Sequence, residues 1–332
     1  MNKSRWVRRM ASGVMLLALC TAAVAQTLGL HSWNDGAAKK QIVEFVRAVT
    51  EKGGKDYVAP ADRIAVFDND GTLWSEQPLY VQFVFMLDQL KAAAPQHPEW
   101  NDNAAFKALA AHDKAALAKL GQKPILELLG TANSGMTVGD YDKAIRDWLV
   151  TARHPKYQRP YTELTYKPMQ ELLAYLRAHG FSTFIVSGGS VEFMRPWAEK
   201  AYGIPPEQVV GSQQEVKFEM KDGKPVLTRG PKIDFVDDGP GKPVGIYRQI
   251  GKRPIAAFGN SDGDLQMLQV TAAGEGRRLA VIVHHDDDKR ETAYDRQSHI
   301  GKLDKALDEA KAKNWTVVSM KSDWKKVFAF EK

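Results

Sequence analysis

Arg63-Ile64-Ala65-Val66-Phe67-Asp68-Asn69-Asp70-Gly71-Thr72 decides how this chain folds. Its first half is a short apolar, partly β-branched run, and its second half stops that run in an acidic turn, so it reads as a strand ending in a loop. Two carboxylates spaced i, i+2 at a strand end point to the same side, where they repel unless they share a cation or a proton. Upstream, Ile42, Val43, Phe45, Val46 and Val49 recur at helical spacing over 37–50, closed near Gly53-Gly54. Downstream, 76–159 offers helical stretches and no convincing strand. Phe106, Leu109, Ala110, Leu117 and Leu120 mark one helix, and Ile145, Trp148 and Leu149 another.

After Tyr161 strands alternate with helices. Met169, Leu172, Leu173 and Leu176 form a helical stripe closed by Gly180, and the apolar run 181–186 leads into Ser187-Gly188-Gly189-Ser190, with a helix from about Val191. Alternation over 215–227 around Lys221-Asp222-Gly223-Lys224 predicts a hairpin with Asp-Gly at its turn. A helix over 243–250, a strand over 254–258 ending in Gly259-Asn260-Ser261-Asp262-Gly263-Asp264, and a strand over 279–284 follow. The pattern predicts an α/β fold, a parallel sheet wound on both faces, with 76–160 inserted as a helical lobe. The domains expected are a signal segment 1–25, a core of 26–75 and 161–332, and a helical cap 76–160.

Ligands of open parallel sheets bind at the carboxyl ends of the strands. Three polar, glycine-containing turns fall there: 68–72, 187–190 and 259–264. Oxygen-only ligands suit a hard ion such as magnesium, and a serine followed by two glycines at a helix start offers a hydroxyl and open N–H groups to an anion. A phosphate fits both, with the metal bridging it to the carboxylates.

Phe67-Asp68-Asn69-Asp70-Gly71-Thr72 resembles the first motif, D-x-D-G-T, of the haloacid-dehalogenase-like phosphohydrolases. Ile185-Val186-Ser187-Gly188-Gly189 resembles their second. Lys242, at a helix start, is similar in placement to their third-motif lysine, and Gly259-Asn260-Ser261-Asp262-Gly263-Asp264-Leu265 resembles the fourth, G-D-x-x-x-D-L. The resemblance covers roughly 60–290, in order, and the insert sits where the phosphoserine-phosphatase-like branch carries its cap. It implies a Rossmann-like core, Mg2+ as cofactor, and two-step phosphoryl transfer. Asp68 is then the nucleophile that forms an aspartyl-phosphate. Asp70 is the general acid and then the general base. Ser187, Gly188, Gly189, Thr72 and Lys242 hold the phosphoryl oxygens. The metal falls to Asp68, Asp70 and the last motif. There the family's aspartate position is Asn260, an uncharged amide, so Asn260 or Asp262 is the direct ligand and Asp264 a supporting acid.

Other features have plainer readings. Lys232 is a rival to Lys242 that reads as a solvated lysine. His284-His285-Asp286-Asp287-Asp288 resembles a metal cluster, but neighbouring histidines in a strand face opposite ways, so it reads as a solvated strand end, with His285 or Asp286 able to reach a substrate. Glycine comes too early after Asp68 for a calcium loop. Trp74, Tyr80, Phe83, Phe85 and Trp100 read as cap core; lining a pocket, they would favour an apolar, aromatic or quaternary-ammonium group.

With 332 residues, 44% hydrophobic and 26% charged, the chain has ordinary globular composition and excludes disorder, collagen and coiled coil. Lys3, Arg5, Arg8 and Arg9 precede an apolar run at 14–24 too short to span a bilayer, and Ala23-Val24-Ala25 supplies the small residues of a cleavage site after Ala25. Cys20, the only cysteine, falls inside that segment, and Leu19 is too large for a lipoprotein box. The formal charge of +6, less those four cations, leaves about +2, which implies no nucleic-acid partner. The expectation is a periplasmic or secreted Mg2+-dependent phosphatase of a small phosphorylated substrate, without stable membrane association. The alternatives are a phosphotransferase using the same intermediate and a phosphate-ester binding protein without turnover.

Overall fold

A computed structural model describes residues 29–111 and 113–331; the signal segment expected at 1–25, with Cys20 and the cleavage point, lies outside them. Strand β1 (Ile64–Phe67) is buried along its whole length because helices cover both faces of its sheet. Its side chains alternate. Ala65 and Phe67 join Ile42, Phe45, Met169 and Leu172 in one apolar cluster, and Ile64 and Val66 join Ile246, Leu268 and Ala306 in another. Phe67 stacks on Phe258 of the neighbouring strand at 4.3 Å between ring centres.

Strands β2 (Ser182–Ser190) and β5 (Ala256–Gly259) flank β1, both parallel to it. Beyond them lie β3 (Val209–Lys221) and β4 (Lys224–Phe235) on one side, β6 (Leu279–His284) and β7 (Thr316–Ser319) on the other. The order is β4-β3-β2-β1-β5-β6-β7, and only β3 and β4 pair antiparallel. Helices α1 (Ala37–Thr50), α7 (Lys167–Ala178) and α8 (Val191–Tyr202) cover the first face; α9 (Gly241–Gln249), α10 (Leu265–Ala272) and α11 (Lys305–Lys313) cover the second. The predicted doubly wound α/β sheet is the observed one. The predicted strands and core helices are all present, several ending a few residues from the expected bounds. Strand β7 was not expected from the sequence.

Between β1 and β2 the chain forms α2 (Val81–Ala93), α3 (Ala104–Ala110), α4 (Lys114–Leu120), α5 (Gln122–Thr131) and α6 (Val138–Thr151). The single helix expected over 106–120 is two, because the Asp113 carboxylate accepts the Ala116 N–H and starts a new helix. Leu90, Trp100, Leu128 and Leu129 anchor an apolar cluster of this lobe, whereas Phe85, Tyr141, Ile145 and Trp148 belong to the core cluster beneath it. The lobe therefore shares its base with the core.

The β3–β4 hairpin turns at Asp222-Gly223, where both residues have positive φ (50° and 73°), as a two-residue turn of matching twist requires. It runs past the predicted 215–227 and touches the helical lobe. Arg229 N–H donates to Met136 O (2.9 Å), Gly135 N–H donates to Arg229 O (2.8 Å), and the Arg229 guanidinium lies 3.5 Å from the Tyr141 ring centre.

Candidate active site

At β1 the chain order of the sheet changes direction, with β2 on one side and β5 on the other, and the three polar turns meet at this crevice. Asp68 continues β1, its N–H donating to Phe258 O at 2.9 Å. Lys242, only 2% exposed at the start of α9, places its ammonium 2.6 Å from Asp68 Oδ1, 2.6 Å from Asp264 Oδ1 and 3.0 Å from Val186 O. Burial opposes that charge, but the two carboxylates outweigh it and push the lysine pKa above its ordinary value. Asp264 Oδ2 accepts the N–H groups of Asn260 (2.9 Å) and Ser261 (3.0 Å), so this acid fixes the third turn.

Asp68, Asp70, Glu76, Ser187, Gly188, Gly189 and Lys242 line one cavity of about 350 Å3, with Tyr80, Gln82, Phe83 and Met86 from the helical lobe above them. The Ser187 hydroxyl accepts the Gly189 N–H at 3.1 Å and keeps its own proton for a ligand. Gln82 of α2 ties the lobe to this turn: its carbonyl accepts the Ser190 N–H (2.8 Å) and its amide donates to Ser190 Oγ (3.2 Å). Asp70 Oδ1 accepts the Trp74 indole N–H at 2.8 Å.

Burial raises the pKa of Asp68 foremost, and the Asp264 charge adds to it against Lys242. Asp70 is raised by burial against the bonds from Trp74 and Asn69. Glu76 is also raised by burial, with Asp70 and Asp68 adding. Three buried acids, Asp68, Glu76 and Asp264, and the half-buried Asp70 thus surround one buried ammonium, which pairs with Asp68 and Asp264, an arrangement that a proton or a cation relieves.

A family model described as haloacid dehalogenase-like hydrolase matches residues 65–269. This chain belongs to that family. No curated protein matches it. Among solved structures, a conserved functionally unknown protein from Anaerococcus prevotii DSM 20548 is 14% identical with a TM-score of 0.52, covering 88% of this chain and 96% of its own. A protein of unknown function from Bordetella pertussis Tohama I is 15% identical with a TM-score of 0.48, covering 77% and 97%. A phosphoserine phosphohydrolase-like protein from Francisella tularensis subsp. tularensis SCHU S4 is 15% identical with a TM-score of 0.38, covering 68% and 89%. As a haloacid dehalogenase-like hydrolase with a paired Asp68 and Asp70, the chain is an enzyme of the class that acts on phosphoric monoesters.

The last motif of this hydrolase divides its residues. Asn260 is buried between the first turn and Glu76: Thr72 Oγ1 donates to its Oδ1 (3.0 Å), and its Nδ2 donates to Glu76 Oε1 (2.7 Å). Asp262 turns away, its Oδ1 accepting the N–H groups of Asp304 (3.0 Å) and Ala306 (2.9 Å) at the start of α11. Thr72 is buried against Asn260 rather than lining the cavity. Among the described residues, no group of three or more His, Cys, Asp or Glu side chains is placed to hold a metal by itself. Magnesium takes one or two carboxylates and completes its shell with water and substrate oxygens. Asp68, Asp70 and the Asn260 amide oxygen are the donors on offer.

Glu76 and Gln82 were not singled out in the sequence; the available signal for Glu76 was an acid in the same loop as Asp70. Of the aromatics expected in the core, Trp74, Phe85 and Trp100 are buried, Trp74 stacking on Trp197 at 4.3 Å, but Tyr80 and Phe83 line the cavity. Lys232 is exposed on β4. His285 is not a solvated strand end. It is buried, its Nε2–H donates to Gly71 O (2.7 Å), and its Nδ1 lies 3.5 Å from Glu291, which accepts from Ser75 Oγ (2.6 Å). It braces the first acidic turn from behind. Asp286 accepts from Ser319 and Lys321 at the short helix Met320–Asp323 that follows β7, and His284 lies 3.5 Å from Asp295.

Gly71 has φ +76°, and a Cβ there would overlap the Asn260 amide and the Glu76 carboxylate. Gly71→Ala is therefore expected to cost about 3 kcal/mol of stability and most of the activity, read by urea unfolding and turnover. Asp237, behind Lys242, is buried, and neither carboxylate oxygen has a hydrogen-bond partner among the described residues. Burial pushes its pKa up to about 7, with Lys242 opposing and Asp238 adding. Its folded pKa lies above the unfolded value of 3.8, so its contribution is present in acid and lost as pH rises through about 7. Roughly three pKa units set a ceiling near ~4 kcal/mol. Asp237→Asn should be more stable than the parent at pH 8 and lose most of that advantage by about pH 4, near the unfolded pKa of 3.8; parallel urea midpoints at the two pH values would refute this.

Proposed function

We propose that this hydrolase is a magnesium-dependent phosphatase of small phosphomonoesters that works through an aspartyl-phosphate on Asp68, exported to the periplasm or secreted by means of residues 1–25. The observation that carries the reading is the Lys242 ammonium clamped between Asp68 and Asp264 at the floor of a cavity that Asp70 and Ser187 also face. In the first step an Asp68 oxygen attacks phosphorus, the bond to the alcohol oxygen breaks, and Asp70 gives that oxygen its proton. A pKa raised by burial suits Asp70 to hold that proton. In the second step Asp70 takes a proton from water, the water oxygen attacks phosphorus, and the bond to Asp68 breaks to release inorganic phosphate.

Ser187, the open N–H groups of its glycine turn and Lys242 orient the phosphoryl oxygens and balance their charge. Magnesium, when bound, supplies Lewis-acid neutralisation of the phosphoryl charge, held by Asp68, Asp70 and the amide of Asn260. No helix among the described residues is long and apolar enough to cross a membrane. The test is phosphate release from a panel of phosphomonoesters with magnesium or with chelator. Release that chelator stops and magnesium restores is expected. Thermal protection by phosphate esters with no release would instead favour a binding protein, and transfer to an added alcohol would favour a phosphotransferase.

A further inference from the structure

The catalytic cavity has a polar floor and an apolar roof. Above Asp68 and Lys242 stand Tyr80, Phe83, Met86 and Val236, where the alcohol part of a substrate must sit. Besides Tyr80, the polar lobe residues lining the cavity among the described residues are Glu76, whose carboxylate accepts from Asn260 and Tyr294, and Gln82, whose amide is engaged by Ser190. Among the described residues Lys242 is the only cation lining the cavity, and Asp68 and Asp264 hold it. Among the described residues the roof carries no cation for a carboxylate or second phosphate on the alcohol; its one polar hydrogen is that of the Tyr80 hydroxyl, which accepts the Gly301 N–H at 3.2 Å, and sugar hydroxyls would lose water against Phe83 and Met86.

Beside this cavity lies a second, of about 420 Å3, between α2, α3 and α4. Leu87, Leu90, Phe106, Leu109 and Leu117 line it, with Lys91 its one charged lining residue among those described, and Phe83 is a wall of both. Successive turns of α2 straddle the two: Tyr80, Phe83 and Met86 face the catalytic cavity, while Phe83, Leu87 and Leu90 face the groove. Leu79 and Tyr80 are each 40% exposed at the shared end, large apolar side chains left in water where a chain would enter.

We propose that the substrate is a phosphomonoester of an uncharged hydrocarbon alcohol, whose chain passes Phe83 into this groove. The inference rests on the phosphatase reading and adds the substrate class to it. The occupant follows from continuity with the cavity: the phosphate end is fixed at Asp68, and the apolar space begins at the residue that borders the leaving group.

Phosphate release by the full chain with magnesium from ethyl, butyl, hexyl and octyl phosphate, beside glycerol phosphate, phosphoserine and phosphoethanolamine, tests it. The kcat/KM is expected to climb about fourfold per methylene until the groove is filled. Leu109→Ser, or Leu117→Ser should the first not fold, should lower the octyl-to-ethyl ratio at least about tenfold. A loss of folded enzyme alone would leave that ratio unchanged. A flat alkyl series from an enzyme that turns over the polar esters, or fastest release from phosphoserine or phosphoethanolamine, overturns the inference and leaves the phosphatase reading standing. Release from none of the esters overturns both.

Discussion

Asp68→Asn is expected to reduce turnover by about 10⁴-fold or more while the fold persists, because the change removes the attacking oxygen's charge and almost nothing else. The amide oxygen can still accept from Lys242, and the N–H of residue 68 still pairs with Phe258 O, so β1 and the position of the loop are retained. Asp70→Asn should be milder, about 10²–10⁴-fold, since proton transfer is assisted rather than created by that group. The two variants separate roles. With a good leaving group such as p-nitrophenol, protonation matters less, so Asp70→Asn should recover much of its first step, while Asp68→Asn should not recover. An Asp68→Asn enzyme within tenfold of the parent would remove the nucleophile assignment altogether.

Lys242→Met is the second large effect, and it falls on stability as well as rate. The ammonium is the cation between two buried acids, at 2.6 Å from each, and a methionine of similar length leaves both carboxylates without their counter-charge. Removing one partner from a buried ion pair typically costs about 3–5 kcal/mol, because the remaining charge keeps its desolvation penalty. Urea unfolding at pH 7 should show a loss of that order. The deficit should shrink on acidification, since Asp68 already has a raised pKa and protonation restores neutrality. Adding Asp264→Asn to Lys242→Met should recover part of the stability but none of the activity. If Lys242→Met unfolds at the parent's midpoint, the clamp is not what holds the three turns together.

Much of this arrangement was legible before the structure, for identifiable reasons. Strand β1 and strand β6 are unbroken apolar runs because both faces of the sheet are covered, and helix α1 shows its stripe because only one face is buried. Asp222-Gly223 announced a turn that needs positive φ twice. The residues at the strand ends were readable because a parallel sheet collects them at one edge. Strand β7, four residues long after a helix ending at Asn314, carried too little pattern to be seen. Asp113 interrupted a helical stripe whose apolar spacing continued through the break. Side-chain direction was the larger gap: Asp262 and Asn260 both offer an oxygen at the right point of the motif. Only the tertiary placement of α11 shows that Asp262 is engaged in starting that helix. Phe83 and Phe85 likewise look alike in sequence, yet one borders the cavity and the other packs against Tyr141 and Trp148.

The contact between the β3–β4 hairpin and the helical lobe changes how the lobe can move. A lobe joined to the core by two chain crossings alone would swing as a hinged flap. Here, besides the Gln82–Ser190 tie and the shared base, Arg229 fastens it to Met136, Gly135 and Tyr141, on a hairpin that grows out of the sheet itself. Strand β3 begins beside β2 and reaches Ser212, whose hydroxyl donates to Gly188 O at 2.8 Å, within the serine–glycine turn that lines the cavity. Any tilt of the lobe therefore pulls on the strand next to that turn, and the machine is a lever with its fulcrum in the sheet rather than a door on a pair of strings.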